Sequence, residues 1–101
     1  MRRYSDELLL QQIARRNITA LEELYDRHAQ AVYTLICHIV REKPIANRVL
    51  QDTFWQVWSE ARNFPENGTA STWIYRIART SSLAELRQHP SPTTPSNIMI
   101  D

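Results

Sequence analysis

The chain has a single glycine among its 101 residues. Sheets built on tight hairpins use glycine at left-handed turn positions, so this scarcity argues against a β fold. No sustained apolar–polar alternation argues the other way. Cysteine is as rare. Cys37 stands alone, so an internal disulfide is excluded and a reducing compartment suits the chain. Its neighbours Leu35, Ile36, Ile39 and Val40 predict an inert core thiol. No apolar run approaches the ~18 residues of a membrane span. The opening MRRYSDELLLQQ lacks the apolar stretch of a signal peptide. A soluble, cytoplasmic chain without membrane insertion is expected. A dominant charge is missing too: the net value is +1, which by itself does not announce nucleic acid.

Several chemistries are also absent. His28, His38 and His89 have no metal-ligand spacing with Cys37 or with one another. There is no phosphate-binding glycine loop, dinucleotide fingerprint or nucleophile elbow. Glu22, Glu23 and Asp26 fall on a predicted helix and read as a solvated face. The expectation is a protein that is not an enzyme and carries no metal or cofactor.

What is present is helical periodicity. SDELLLQQIARRN offers Ser5 as an N-cap, acids in the first turn, and Leu9, Leu10 and Ile13 on one stripe. Asn17 can stop this helix. Thr19 with Glu22 reads as a capping box for the next one. Its apolar positions Leu21, Leu24, Tyr25, Ala29, Val32, Tyr33, Ile36 and Val40 recur at spacings of three and four. Pro44 suits the first turn of a third helix. There Ile45, Val49, Leu50, Thr53, Phe54, Val57, Trp58 and Ala61 share a face. Trp55 falls on the other side with Gln51, Asp52, Gln56 and Ser59. It reads either as a partner-facing ring or as a ring lying over a helix edge.

NFPENGT is a loop by its Pro, Asn and Gly. Thr69 or Ser71 then caps a fourth helix with Trp73, Ile74, Ile77, Ala78, Leu83 and Leu86 inward. The predicted fold is all-α, a four-helix orthogonal bundle with helices near 5–17, 19–41, 44–63 and 70–88. The domain spans 1–89. Residues 90–101, rich in Pro, Ser and Thr, read as a disordered linker or tail.

Charge is local rather than global. Arg76, Arg79 and Arg87 face only Glu85 within 69–89. Trp73, Tyr75, Arg76 and Arg79 interleave rings with cations, the equipment for an unpaired strand: arginine for phosphate, rings for stacked bases. Asn63, Asn67, Ser71 and Thr72 add small polar groups that could read a base edge. The plain alternative is an amphipathic helix with its arginines in water.

The order of segments carries a resemblance. LEELYDRHAQAVYTLICHIV, then VLQDTFWQVW, then FPENGTASTWIYRIARTSSLAELRQ, resembles domain two of bacterial sigma factors of the extracytoplasmic-function (ECF) type, over about residues 5–89. The resemblance implies docking on the β′ clamp helices of the RNA polymerase core. It also implies recognition and melting of the promoter −10 element through unpaired non-template bases. Leu50, Gln51, Asp52, Phe54, Val57 and Trp58 match the core-binding block, and Trp55 or its polar neighbours would meet the clamp. Asn63, the 64–69 loop, Ser71 and Thr72 match the part that holds a flipped base. Trp73, Tyr75, Arg76, Arg79 and Thr80 match the promoter helix. Arg62 and Arg87 complete the expected DNA-binding set.

The sequence departs from the family pattern in three places. PIANRV has Arg48 where an acid is common. Helix four ends with Thr80, Ala84 and Arg87 in place of the usual N-x-x-x-D-x-x-R. The domain that reads the −35 element is missing from the 101 residues. An alternative function follows: a sigma-like protein that binds polymerase or an anti-sigma factor without recognising a promoter.

Overall fold

The computed structural model describes residues 4–65 and 67–88. The expected tail and His89 lie outside the described residues. Four helices run in order: α1 (Asp6–Ala14), α2 (Ile18–Val40), α3 (Lys43–Glu60) and α4 (Ala70–Gln88). A short 3-10 turn, Ala61–Asn63, extends α3. There is no strand among the described residues. The all-α expectation holds.

The helix ends differ from the sequence reading in instructive ways. Ser5 caps α1 as expected, its Oγ accepting from the Leu8 amide at 3.0 Å. The helix then stops at Ala14, three residues short of the expected end. Arg16 takes a left-handed conformation, φ 69. The Arg16 and Asn17 amides turn back onto the Ile13 and Gln12 carbonyls at 2.8 and 3.1 Å. This pairing satisfies the orphan carbonyls of a helix end, a place where glycine is usual.

Asn17 therefore does not merely end α1. Its Oδ1 accepts from the Thr19 and Ala20 amides and caps α2. The Thr19–Glu22 capping box does not form the cap, because Thr19 already lies inside the first turn. At its other end α2 closes on Arg41, again left-handed, φ 65, with its amide on the Cys37 carbonyl. Both positive-φ residues among the described residues are arginines, in a chain with a single glycine.

One apolar core joins all four helices. Leu24, Val32 and Ile36 of α2, Val57 of α3 and Ile74 and Ala78 of α4 are all fully enclosed. α2, α3 and α4 pack pairwise, and α1 lies across α2 and the 3-10 turn. Thr53 and Ser82 are buried as well. Each hydroxyl donates to the carbonyl one turn back, Val49 and Ala78, at 2.8 Å, so neither is left unpaired.

Other inward expectations change. Ser82, not Leu83, takes the inward position on α4, and Leu83 is exposed. Cys37 is only half-buried. Its hydrogen bond to Tyr33, one turn back, raises that hydroxyl above its usual pKa. Tyr25 is exposed at one edge yet meets Phe54 edge-on, with ring centroids 4.9 Å apart. Among the described residues no helix is long and apolar enough to cross a membrane.

Candidate nucleic-acid interface

α4 presents one continuous row to solvent. Thr72, Arg76, Arg79, Thr80, Leu83 and Arg87 are exposed at helical spacing, with Tyr75 half-buried beside them. Thr72, Tyr75, Arg76, Arg79, Thr80 and Leu83 line an open groove of about 430 Å³, whose other wall is Ala31 and Leu35 of α2. The groove thus has an apolar floor, a phenol and two guanidinium groups.

Trp73 is placed differently from its expected partners. It turns away from the groove and packs edge-on against Phe64, centroids 5.4 Å apart. The pair fastens the 64–69 loop to the first turn of α4. The loop closes on itself through the Gly68 amide and the Pro65 carbonyl at 3.1 Å. The Thr69 hydroxyl donates to Thr72 Oγ1 at 2.8 Å. Asn67 and Arg62 are exposed, and Ser71 is half-buried. Asn63 sits in the 3-10 turn, its Nδ2 donating to Glu60 Oε1 at 2.9 Å.

α3 carries the second surface. Gln51, Asp52, Trp55, Gln56 and Ser59 are all exposed on one face, and Trp55 is the most open large apolar side chain, 66% accessible. The Ser59 hydroxyl donates to the Trp55 carbonyl at 3.1 Å. Of the expected docking block, Leu50, Phe54 and Val57 are buried in the core, where the aliphatic and aromatic side chains on that stripe must go. They hold the face in place from beneath. Trp58 is half-buried rather than core. The Arg16 guanidinium stacks 4.9 Å over its ring and donates to its carbonyl at 2.7 Å.

Four contacts were not legible in the sequence. Arg48 of α3 pairs with Glu85 of α4, so the cation found where an acid is common has a partner across the bundle. Asp6 of α1 accepts from Arg27 at 2.9 Å and meets His28 Nε2 at 2.7 Å, both on α2. Burial alone would raise the Asp6 carboxyl, but the hydrogen bonds from Arg27 and His28 outweigh it and hold its pKa below the usual carboxylate range. The same bond raises the Arg27 guanidinium. Glu7, next in sequence, reaches the Ala70 amide at 2.9 Å. No local pattern could reveal these, because each partner lies more than twenty positions away.

Comparison with known proteins places this arrangement. A family model described as Sigma-70 region 2 matches residues 24–90. The ECF RNA polymerase sigma factor SigK of Mycobacterium sp. (strain KMS) is 29% identical over 82 residues, covering 80% of this chain and 42% of that protein. SigM of Bacillus subtilis (strain 168), also an ECF sigma factor, is 22% identical over 80 residues, 79% of this chain and 48% of the relative. The chain thus spans less than half the length of these relatives. An engineered region 2 of sigmaE, solved by NMR in complex with GTAAAA, superposes with a TM-score of 0.73 at 24% identity, covering 87% of this chain and 96% of that one. That likeness speaks for the fold. The family match spans the greater part of the chain and includes α3, the loop and α4: this chain belongs to the Sigma-70 region 2 family.

Proposed function

We propose that the chain is the polymerase-docking and −10-reading module of a bacterial sigma factor of the ECF type, acting in the cytoplasm. The observation that carries this reading is the exposed row on α4. Arg76 and Arg79 lie between Tyr75 and Thr80 over an apolar floor, next to a fastened loop. Such a surface suits a flexible single strand, with guanidinium groups on phosphates and a phenol against a base. It suits duplex poorly, because extruding a base costs a few kcal/mol that an unpaired strand avoids. Asn63 and Asn67 before α4, and Ser71 and Thr72 in its first turn, would supply the base-edge contacts. Arg62 and Arg87 extend the positive surface at either end.

The outward face of α3 supplies the second half of the function. Trp55 with Gln51 and Asp52 offers a ring and one carboxylate to a coiled-coil partner, the β′ clamp helices of the polymerase core. A ring exposed amid polar side chains is the usual make-up of a contact hot spot. An anti-sigma factor would compete for one or both faces.

The test is fluorescence anisotropy with a labelled GTAAAA single strand, the sequence bound by the similar sigmaE region, and with each single-base variant. It is run with the full chain alone and with polymerase core. Sequence-dependent binding, at least in the presence of core, is expected. Core binding without any base preference would replace this reading with that of a sigma-like partner protein.

A further inference from the structure

The first turn of α4 is held from outside its own neighbourhood. Its first amide, Ala70 N–H, donates to the Glu7 carboxylate at 2.9 Å, across 63 positions of sequence. The residue in the capping position, Thr69, turns its hydroxyl instead to Thr72. Ala70 itself is fully buried, so an unpaired amide there would find no water in its place. Glu7 also sets a negative charge at the positive end of the α4 dipole.

The carboxylate is in turn kept on station. Glu7 occupies the first turn of α1, directly after Asp6. Asp6 is tied to α2 through Arg27 and His28. Ser5 caps the same turn. Two adjacent acids therefore divide their work between two other helices. Asp6 fixes α1 to α2, and Glu7 fixes the start of α4 to α1. The loop that ends at Thr69 has two other fastenings, the Phe64–Trp73 ring pair and its own turn. Glu7 is the fastening that reaches it from another helix.

We infer that Glu7 is a positioning residue for the base-reading end of α4, setting the geometry of Thr69, Ser71 and Thr72 without touching the strand. The inference rests on the single-strand reading given above for its functional consequence, and on the hydrogen bond alone for the anchoring. Loss of the anchor lets the first turn of α4 fray. The polar groups at that end then lose a fixed direction, while Arg76 and Arg79, a turn or more further on, keep their phosphate contacts. Discrimination between bases should fall more than affinity for strands in general.

The experiment compares the full chain with Glu7→Ala and Glu7→Gln. Glutamine keeps an acceptor oxygen at the same reach and removes the charge. Two readouts are taken: hydrogen exchange at the Ala70 amide by NMR, and base preference across the single-base strand set. Glu7→Ala is expected to speed Ala70 exchange and to cut base discrimination about fivefold, the equivalent of a cap worth about 1 kcal/mol. Glu7→Gln is expected to restore both. A purely structural role would instead weaken all strands alike and leave the preference ratio unchanged, which overturns the inference. If the wild-type chain shows no base preference, the single-strand reading fails. The anchor is then judged by exchange alone: equal Ala70 rates in all three proteins overturn it, and fast exchange confined to Glu7→Ala supports it.

Discussion

α3 and α4 are nearly equal in length, lie against each other and contribute to the same core. Their outer faces have little in common. From Gln51 onward α3 shows solvent an indole ring, amides, a serine hydroxyl and the single exposed acid Asp52, with Thr53, Phe54 and Val57 sealed beneath; its exposed cations, Lys43 and Arg48, lie in its first turns. α4 shows three arginines, two threonine hydroxyls and a tyrosine over a groove. α4 is also tied to its neighbours at both ends, by Glu7 at its start and by Arg48 at Glu85. A shared core thus leaves two faces free to differ in chemistry. A ring with one carboxylate suits a protein surface that is dry once buried. Cations with hydroxyl groups suit a wet, charged polymer whose position must be fixed by a rigid scaffold.

The largest expected effect would break both faces together. Phe54 is buried on α3 and meets the Tyr25 ring of α2 edge-on. Phe54→Ala should cost about 3–5 kcal/mol as a large core truncation. Trp58→Ala, only half-buried and open to Arg16, should cost clearly less. Urea midpoints check the order. A Trp58 loss equal to that of Phe54 would mean the indole is a core residue after all.

Next come changes that separate the faces. Trp55→Ala or Asp52→Ala should weaken capture of polymerase core by about 2 kcal/mol or more. Neither should alter single-strand binding or the circular dichroism spectrum. Arg79→Ala should do the reverse, weakening all strands alike and lowering the slope of log affinity against log salt by ~0.7. If one of these variants affects both activities, the division between α3 and α4 is wrong.

How much of this was legible beforehand follows from range. The periodic stripes gave four helices, and Phe54, Val57, Ile74 and Ala78 were found inward as spacing required. Trp55 was set apart correctly because one position of displacement in a helix rotates a side chain to another face. Helix ends were read less well. Asn17 serves two helices at once, and the left-handed Arg16 and Arg41 stand where a glycine would have been the signal. At the candidate site, spacing placed Arg76, Arg79 and Thr80 together, but Trp73 went to Phe64 instead of the groove. The ties through Asp6, Glu7 and Arg48 depend on tertiary packing and leave no local pattern.

A smaller effect tests whether anchoring matters to α4 more than to α3. The Asp6 carboxyl has its pKa held below its ordinary value when folded, against burial, by Arg27 and His28. A depressed acid contributes stability above its unfolded value, and that contribution is lost as pH falls through the folded one. The urea midpoint should therefore drop as pH is taken from about 5 towards 2, and Asp6→Asn should flatten that part of the curve. The effect is modest because the group is partly exposed and screened. In the same acid range, Ala70 amide exchange, taken relative to its intrinsic rate at each pH, should quicken before that of α3 core amides such as Val57. Equal quickening at both positions would show that α1 holds the bundle as a whole and gives α4 no special support.

The smallest expected effect leaves both faces alone. Arg41 is exposed and left-handed at the end of α2, where its backbone amide donates to the Cys37 carbonyl. An L side chain pays roughly 1–2 kcal/mol in that conformation, whereas glycine does not. Glycine also has more freedom to lose on folding, which returns about 0.5–1 kcal/mol. The net expectation for Arg41→Gly is a gain of about 0.5 kcal/mol, or roughly 2–4 °C in the melting temperature of a domain this size. Arg16→Gly relieves the same backbone conformation at φ 69 but gives up the stack on Trp58 and the bond to its carbonyl. It should therefore show no gain, or a loss. Calorimetry on the two variants separates backbone from side chain. Equal gains would mean that Arg16 contributes nothing to the end of α3, and that the α3 face is set by the core beneath it alone.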